Sequence, residues 1–454
     1  MTTHKYSNVL FWCFLLFGFA SLHNAYADIL DADKAYSEKR YEDAFNEFES
    51  LAKLGNNVAR YNLAIMLMKG QGTRQDLTQA YAWAALVDYE DNTEWFDLTT
   101  LLEAELSPEE LKTAQSLAQR VENTYDDDQI FTQLAPVKFV PNDNNPSDSS
   151  EYQVTITSRK APRYPKQAIG TGAQGWVRVE FEVHPDGSAR NPSVLESIPS
   201  GTFDTVTLEA IKQFRFELNF KEGIEPYPVL ATQLIQYTLN PKGNESLANL
   251  YQKRLSKLKS QAEKGHPTAQ YYYALAASSQ SVVSQYVDME PEVMNDWLLK
   301  SAQNGHLDAQ YQLGYNILTG KGCQVEKQKG IDWIVHAAQF GHAKSARQVY
   351  RQLTQYNHLN NTNNPPEYWL KQSADNGDPD SQLDYAYFLA HDGGAVTSVA
   401  EIRAYLDQHL KNREKSVKWY QTSAQAYLLE NDKKKADKAM KKAHKLAKKM
   451  GWTI

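Results

Sequence analysis

One frame recurs five times along the chain: AKLGNNVARYNLA from Ala52, AEKGHPTAQYYYA from Ala262, AQNGHLDAQYQLG from Ala302, AQFGHAKSARQVY from Ala338 and ADNGDPDSQLDYA from Ala374. The C-terminal copies begin 40, 36 and 36 residues apart, and Trp297, Trp333 and Trp369 keep the 36-residue step. A fixed period of this size is the mark of stacked helix pairs, because one pair cannot bury its apolar face without a neighbour. Gly55, Gly265, Gly305, Gly341 and Gly377 fall where one helix must end, in the left-handed conformation that glycine adopts without a Cβ penalty. Ala59, Ala269, Ala309, Ser345 and Ser381 form a small column one turn into the next helix. Leu63, Tyr273, Leu313, Val349 and Tyr385 follow on the same face as core residues. His266, His306 and His342, with Asp378 in the fourth copy, occupy a polar helix-start position; one per repeat, they do not have the spacing of a metal site.

The pattern A-x-x-G-x-x-x-A-x-x-x-L-G, with G-x-G loops at Gly70-Gln71-Gly72 and Gly320-Lys321-Gly322, resembles the Sel-one-like repeats, relatives of the tetratricopeptide repeat. The resemblance covers roughly residues 30 to 120 and 250 to 425, and it implies a protein-binding scaffold with a curved surface and no reaction. It departs at Tyr350, where the family places a small residue, and in the Asn-rich stretch NHLNNTNNPP before Trp369, so those repeats are expected to be irregular. Ser107, Pro108 and Glu110 supply a helix start with a capping box and close the first helical block.

Between the repeats, APRYPKQAIGTGAQGWVRVEFEVHPDGSA (Ala161 to Ala189) breaks the pattern. Trp176, Arg178, Glu180 and Glu182 alternate with Val177, Val179, Phe181 and Val183, as a strand with one buried face requires. Pro185-Asp186-Gly187-Ser188 is turn chemistry, and ARNPSVLES returns as a second strand. GTFDTVTLEAIKQFRFEL spaces Phe203, Val206, Ile211 and Phe214 for one helix, with Thr202 or Asp204 as its cap. YPVLATQLIQYTL reads as the last strand. The expected unit is a three-stranded antiparallel sheet with a helix across it.

This segment is similar to the C-terminal domain of the TonB family. The residues that carry the resemblance include Pro162, Tyr164, Pro165, Ala168, Gly175, Asp186, Gly187, Ser197, Pro199, Gly201, Phe203, Asp204, Ala210, Ile211, Lys212, Arg215 and Phe216, most of them turn or core positions. Leu218 stands where the family usually has a proline. The resemblance implies partner binding by strand addition, in which an extended peptide pairs with an exposed sheet edge. The last strand, Val229 to Leu239, is the expected edge, with Val229, Ala231, Gln233, Ile235, Gln236 and Tyr237 as candidate partner-binding residues and Gln233, Gln236 and Tyr237 as the selectors. The partners so implied are envelope proteins, among them an outer-membrane transporter or its periplasmic peptide. The alternative is an energy transducer that couples a proton-driven inner-membrane motor to transmembrane transport. Against it, Ser21-Leu22-His23 lacks the one-turn Ser and His spacing of a motor-facing anchor, and no Pro-rich arm follows.

The apolar run Val9 to Leu22, preceded by Lys5 and followed by Ala25-Tyr26-Ala27, reads as a signal peptide cleaved before Asp28, hence export to the periplasm. Its fourteen residues span about 21 Å, short of a bilayer core of roughly 30 Å, and retention as an inner-membrane anchor is the alternative. Removal of the leader leaves Cys323 as the lone thiol, so intramolecular disulfides are excluded. A net charge of -7 on an exported chain argues against nucleic-acid binding. No nucleophile with a base, phosphate-binding glycine loop or cofactor motif is evident, so no enzyme, metal or cofactor is expected.

The expected order is therefore a signal peptide (1-27), an N-terminal helical block (28-125), an acidic and polar linker (126-150), the α+β domain (151-242), a C-terminal solenoid (243-432) and a Lys-rich C-terminal helix (433-454). The fold class is mainly α, with helix-pair repeats flanking a small α+β domain. Nine Lys between Lys433 and Lys449 leave two readings of the tail, a solvated capping helix or a contact for an anionic surface.

Overall fold

The computed structural model describes residues 28–90, 95–138, 152–199, 201–221, 223, 226, 228–238, 245–276, 291–355, 364–391, 398–413, 415–450, 452 and 454. The expected leader, the part of the polar linker from 139 to 150 and most of the Asn-rich stretch lie outside them.

The repeat columns behave as packing chemistry demands. Gly55, Gly265, Gly305, Gly341 and Gly377 have φ of 88°, 83°, 89°, 86° and 92°. Each is followed by a polar side chain at the next helix start. Asn56 accepts from the Ala59 amide at 2.8 Å, His306 Nδ1 from the Ala309 amide at 3.3 Å, and Asp378 from the Ser381 amide at 2.6 Å. In the histidine column His306 is thus a cap and His342 bonds Ser345 and Asp308, while His266 is exposed, and the small and large columns behind it are buried. Gly314 and Gly330 face each other across two helices, Leu307–Thr319 and Lys327–Gln339; a Cβ on either would lie 2.7 Å from the other's carbonyl oxygen. Tyr350, lacking that small partner, wedges half-buried between two apolar clusters.

The helices before and after the sheet share one core. Phe48, Leu51 and Leu63 pack in the same cluster as Leu298, Leu313 and Trp333. Main-chain and side-chain bonds close the junction: the Ile29 amide donates to Asn304 O at 3.1 Å and Gln303 Nε2 to Leu54 O at 3.1 Å. Part of the segment expected to be linker, 126-150, is ordered instead as the helix Asp127–Leu134. Asp126 caps it, Ile130 and Ala135 are buried, and its end is pinned by Trp333 Nε1, which donates to Leu134 O at 2.8 Å. The polarity of Asp126 to Asp128 is that of a helix start, which sequence composition does not distinguish from a linker. Arg60, 2% exposed, ties this corner together by donating to Leu86 O and Tyr125 O and pairing with Asp127 at 2.8 Å.

The α+β unit is an insert between these helices. Its strands are β1 (Tyr152–Ser158), β2 (Gly175–Val183), β3 (Ala189–Ile198), β4 (Arg215–Phe220) and β5 (Val229–Tyr237). The expected three-stranded antiparallel sheet is present in the order β3-β2-β5, and β1 pairs with β4 in a second sheet the sequence did not reveal. The helix across the sheet is shorter than expected. It spans Asp204–Ile211, and Phe214 belongs to the turn into β4. Neither Thr202 nor Asp204 caps it; Phe203 occupies that position without a side-chain bond. RFELNF follows a helix and carries helix-compatible residues, so only the pairing of β4 with β1 decides its state.

Among the described residues no helix is long and apolar enough to cross a membrane. The Lys-rich tail forms the helix Lys433–Met450, whose Ala436, Ala439, Ala443 and Ala447 are buried against its neighbours while the nine lysines face solvent.

Candidate functional site

The insert builds its own core. Val177, Val179, Phe181 and Val183 point from β2 onto the helix Asp204–Ile211, Phe214 and Phe216. The motif residues brace it. The Tyr164 hydroxyl donates to Ala173 O at 2.5 Å, and the Tyr164 ring meets Phe203 and Tyr237 edge-on at 5.5 and 5.7 Å. Pro165 precedes the short helix Lys166–Thr171, and Gly175 opens β2. Asp186 accepts from the Ser188 amide at 3.0 Å and pairs with Arg190. These bonds outweigh desolvation and hold its carboxyl below the ordinary value. Gly187, at φ 74°, lies against Phe216, whose amide donates to Gly187 O at 2.9 Å. A side chain there would collide with the Phe216 carbonyl, so the Asp-Gly pair both turns the hairpin and admits β4.

β5 pairs with β2 in an unbroken register from Val183↔Val229 to Gly175↔Tyr237. On its other side no described strand is paired, so β5 is an edge, as is β3. A cleft of about 470 Å³ lies beside β5, lined by Gln233 to Thr238 and by Arg159, Lys160, Ala161 and Pro162. The candidate residues divide by parity. Val229 and Tyr237 are buried, and Ala231, Gln233 and Ile235 are half-buried on the core side; Gln236 is exposed. Tyr237 is no selector. Its ring stacks on Phe203 at 4.2 Å, and its hydroxyl and that of Thr207 lie 2.6 Å apart. The side chains that sequence reasoning missed are Thr232 and Leu234 on the outer parity of β5, and the basic pair Arg159-Lys160. The only signal for that pair was two cations ahead of the Pro162-Tyr164-Pro165 motif.

The second face of β2 is not solvent-exposed as the alternation implied. Trp176, Arg178 and Glu180 are 1%, 9% and 5% exposed. This polar face lies against the C-terminal repeats, where Arg351 pairs with Glu180. Behind that pair Arg347, 7% exposed, is shared by Asp378, Asp380 and Asp384 at 3.3–3.4 Å, and Lys418 sits 2.5 Å from Asp384. Desolvation works against each of these charges; at Lys418, Arg347 and Asp384 the opposite charges prevail, so the two cations titrate above and the aspartate below their ordinary values, whereas burial wins at Arg351 and holds it below its ordinary value. Arg215 Nη2 donates to Met450 O at 2.6 Å, and the Arg190 guanidinium lies 5.1 Å from the Trp452 ring centroid. The end of the Lys-rich helix therefore meets the insert.

Cys323 is buried in the repeat core, and burial pushes its thiol up to about 11, so it is an inert packing residue. Among the described residues no group of three His, Cys, Asp or Glu could hold a metal ion.

The fold and the site define a helical-repeat protein that carries a strand-edge α+β insert. Residues 160–239 match the family model described as Gram-negative bacterial TonB protein C-terminal, and residues 57–86, 307–339, 367–378 and 379–428 match the Sel1 repeat. The chain thus carries Sel1-type repeats on either side of a TonB C-terminal-type domain. It is similar to Protein TonB of Yersinia enterocolitica, 29% identical over 92 residues, covering 20% of this chain and 36% of that protein. It is also similar to Protein TonB of Escherichia coli (strain K12), 35% identical over 60 residues, covering 13% and 25%. The match spans little more than a third of those relatives at most. A solved Sel1 repeat protein from Oxalobacter formigenes is 19% identical, at a TM-score of 0.35 over 44% of this chain and 82% of that chain.

Proposed function

We propose that this protein is an interaction scaffold of the periplasm whose TonB-type insert captures an extended peptide of an envelope or outer-membrane protein by strand addition along β5. The observation that carries the reading is the open edge of β5 beside the cleft lined by Arg159 to Pro162. Main-chain bonds to β5 supply affinity, and the outer-parity side chains supply selection. With Arg159 and Lys160 lining the same cleft, a strand bearing an acidic residue is favoured over a basic one. The helical repeats hold the insert and offer further surface. No step of this reading needs a catalytic group.

The test is hydrogen exchange on the full chain with an extended acidic peptide. Protection of the β5 amides, lost when alternate peptide amides are N-methylated, supports strand addition. Unchanged β5 exchange at saturating peptide rules it out. Sequencing the mature N terminus separates the scaffold from an anchored energy transducer, since a chain beginning at Asp28 has lost the segment a membrane motor would pull.

A further inference from the structure

The seam between the insert and the last repeats holds a partly open cavity of about 170 Å³, lined by Asn191, Pro192, Leu208 and Lys212 of the insert and by side chains of the repeats. We propose that it binds a small carboxylic acid with an apolar body. The reading is independent of strand addition at β5, which lines a different cleft.

Three observations converge on this chemistry. The walls are apolar where Leu208, Leu383, Val417, Leu446 and Met450 meet. A cavity of about 150 Å³ accepts a benzene-sized guest, so this one takes a leucine-sized group. The polar lining is cationic in excess: Lys212, Arg347, Arg413, Lys415 and Lys418 stand against Asp380 and Asp384. Those two aspartates are already engaged by Arg347, Arg413 and Lys418. Among the described residues Lys212 and Lys415 have no carboxylate at ion-pair distance, and Lys415 lies over the Trp419 ring at 4.6 Å.

The third observation is unsatisfied polarity. His409 is 3% exposed; its Nδ1 donates to Pro379 O at 2.6 Å, and its Nε2 is buried with no partner among the described residues. Arg347, which lines the same cavity, likewise has a buried Nε with no partner among the described residues. Buried polar atoms are seldom left unpaired, and two lining one cavity point to a polar guest. A carboxyl group answers both, sharing one proton with His409 Nε2 and accepting from the cationic lining, while its apolar body fills the Leu and Val walls. Because the insert and the repeats each contribute walls, occupancy ties the two together.

The shared chemistry has two sources, a free small acid and the C-terminal carboxylate of a peptide ending in an apolar residue. N-acetyl-leucine, its amide and a hexapeptide ending in leucine are titrated calorimetrically into the full chain. N-acetyl-leucine is expected to bind with a dissociation constant on the order of 1 mM, in keeping with its few heavy atoms, and the amide at least about tenfold more weakly. A hexapeptide that binds more tightly than N-acetyl-leucine assigns the site to peptide termini; equal or weaker binding assigns it to the free acid. The double variant K212E/K415E, at half-buried and exposed positions, should lose about tenfold in affinity with an unchanged melting temperature. Should it fold poorly, the single variant K415Q is expected to weaken binding in the same direction. No heat at about 10 mM acid, an amide that binds as well as the acid, or undiminished binding by the folded variants would show a water-filled seam and overturn the proposal.

Discussion

Replacing Arg351 by methionine should release the insert from the repeats without unfolding it. Glu180 is 6% and Arg351 13% exposed at the side chain, so the variant strands a carboxylate in the seam. Removing one partner of a buried pair costs about 3–5 kcal/mol, a shift of roughly 10² to 10³·⁵ in the docked-to-undocked ratio. The cost falls on docking because the insert keeps a core of its own around Phe181, Phe203 and Ile211. The reverse variant, Glu180→Leu, should cost less, about 1–2 kcal/mol, because Arg351 still faces Asp384, Asp378 and Asp380. The double variant removes both charges and should recover most of the loss, which a double-mutant cycle reads as coupling of about 2 kcal/mol or more. Small-angle scattering gives the radius of gyration and calorimetry the number of transitions. R351M should be more extended and melt in two steps; R351M/E180L should return toward the wild type. An R351M chain as compact as the wild type, or a double variant whose loss is the sum of the singles, would refute the argument that this pair holds the seam.

Three further outcomes are expected. Trp333→Phe keeps the ring in the core but leaves Leu134 O without its donor, at about 1–2 kcal/mol, and should raise hydrogen exchange across 127–135 while sparing the insert. Gly187→Ala combines a left-handed backbone with a collision at the Phe216 carbonyl and should destabilise the insert by at least about 2 kcal/mol, visible as a lowered transition for that unit alone. Burial lowers His336 to about 4 from an ordinary 6.5, so the unfolded chain takes up a proton that the native repeats refuse; stability should fall as pH drops from 6.5 toward 4, by about 2 kcal/mol after allowance for partial exposure, and His336→Gln should flatten that slope in melts followed against pH.

Much of the architecture was legible because it rests on periodic chemistry. The five glycines read as helix stops are all left-handed, the small column behind them is buried, and Ser107 forms its capping box with Glu110. The alternation from Val177 to Val183 gave β2 and its core face correctly. The edge position of β5 agreed with the strand order, yet its side-chain roles did not: Tyr237, read as a selector, is a core ring. Hydrogen-bonding capacity in a sequence does not tell which side of a strand carries it once the pairing register is set.

The parts that stayed hidden all depend on contacts between distant segments. RFELNF is a strand only because β1 pairs with it, and residues 127–134 are a docked helix only because Trp333 and its neighbours receive them. The polar face of β2 looked solvated because Glu180 and Glu182 are charged; Arg351, far away in the chain, pairs with Glu180 and lets it be buried. Local steric and hydrophobic rules, expressed at spacings of two, four and thirty-six residues, let the amino-acid order by itself determine that this is a helix-pair array interrupted by a strand-rich insert. Only the tertiary structure decided that the two helical stretches share one core, that the insert is clamped by buried charge, and that a cavity opens at the clamp. Those outcomes turn on which unlike charges and apolar faces come within a few ångströms of each other, a property of the packed chain and of no short segment within it.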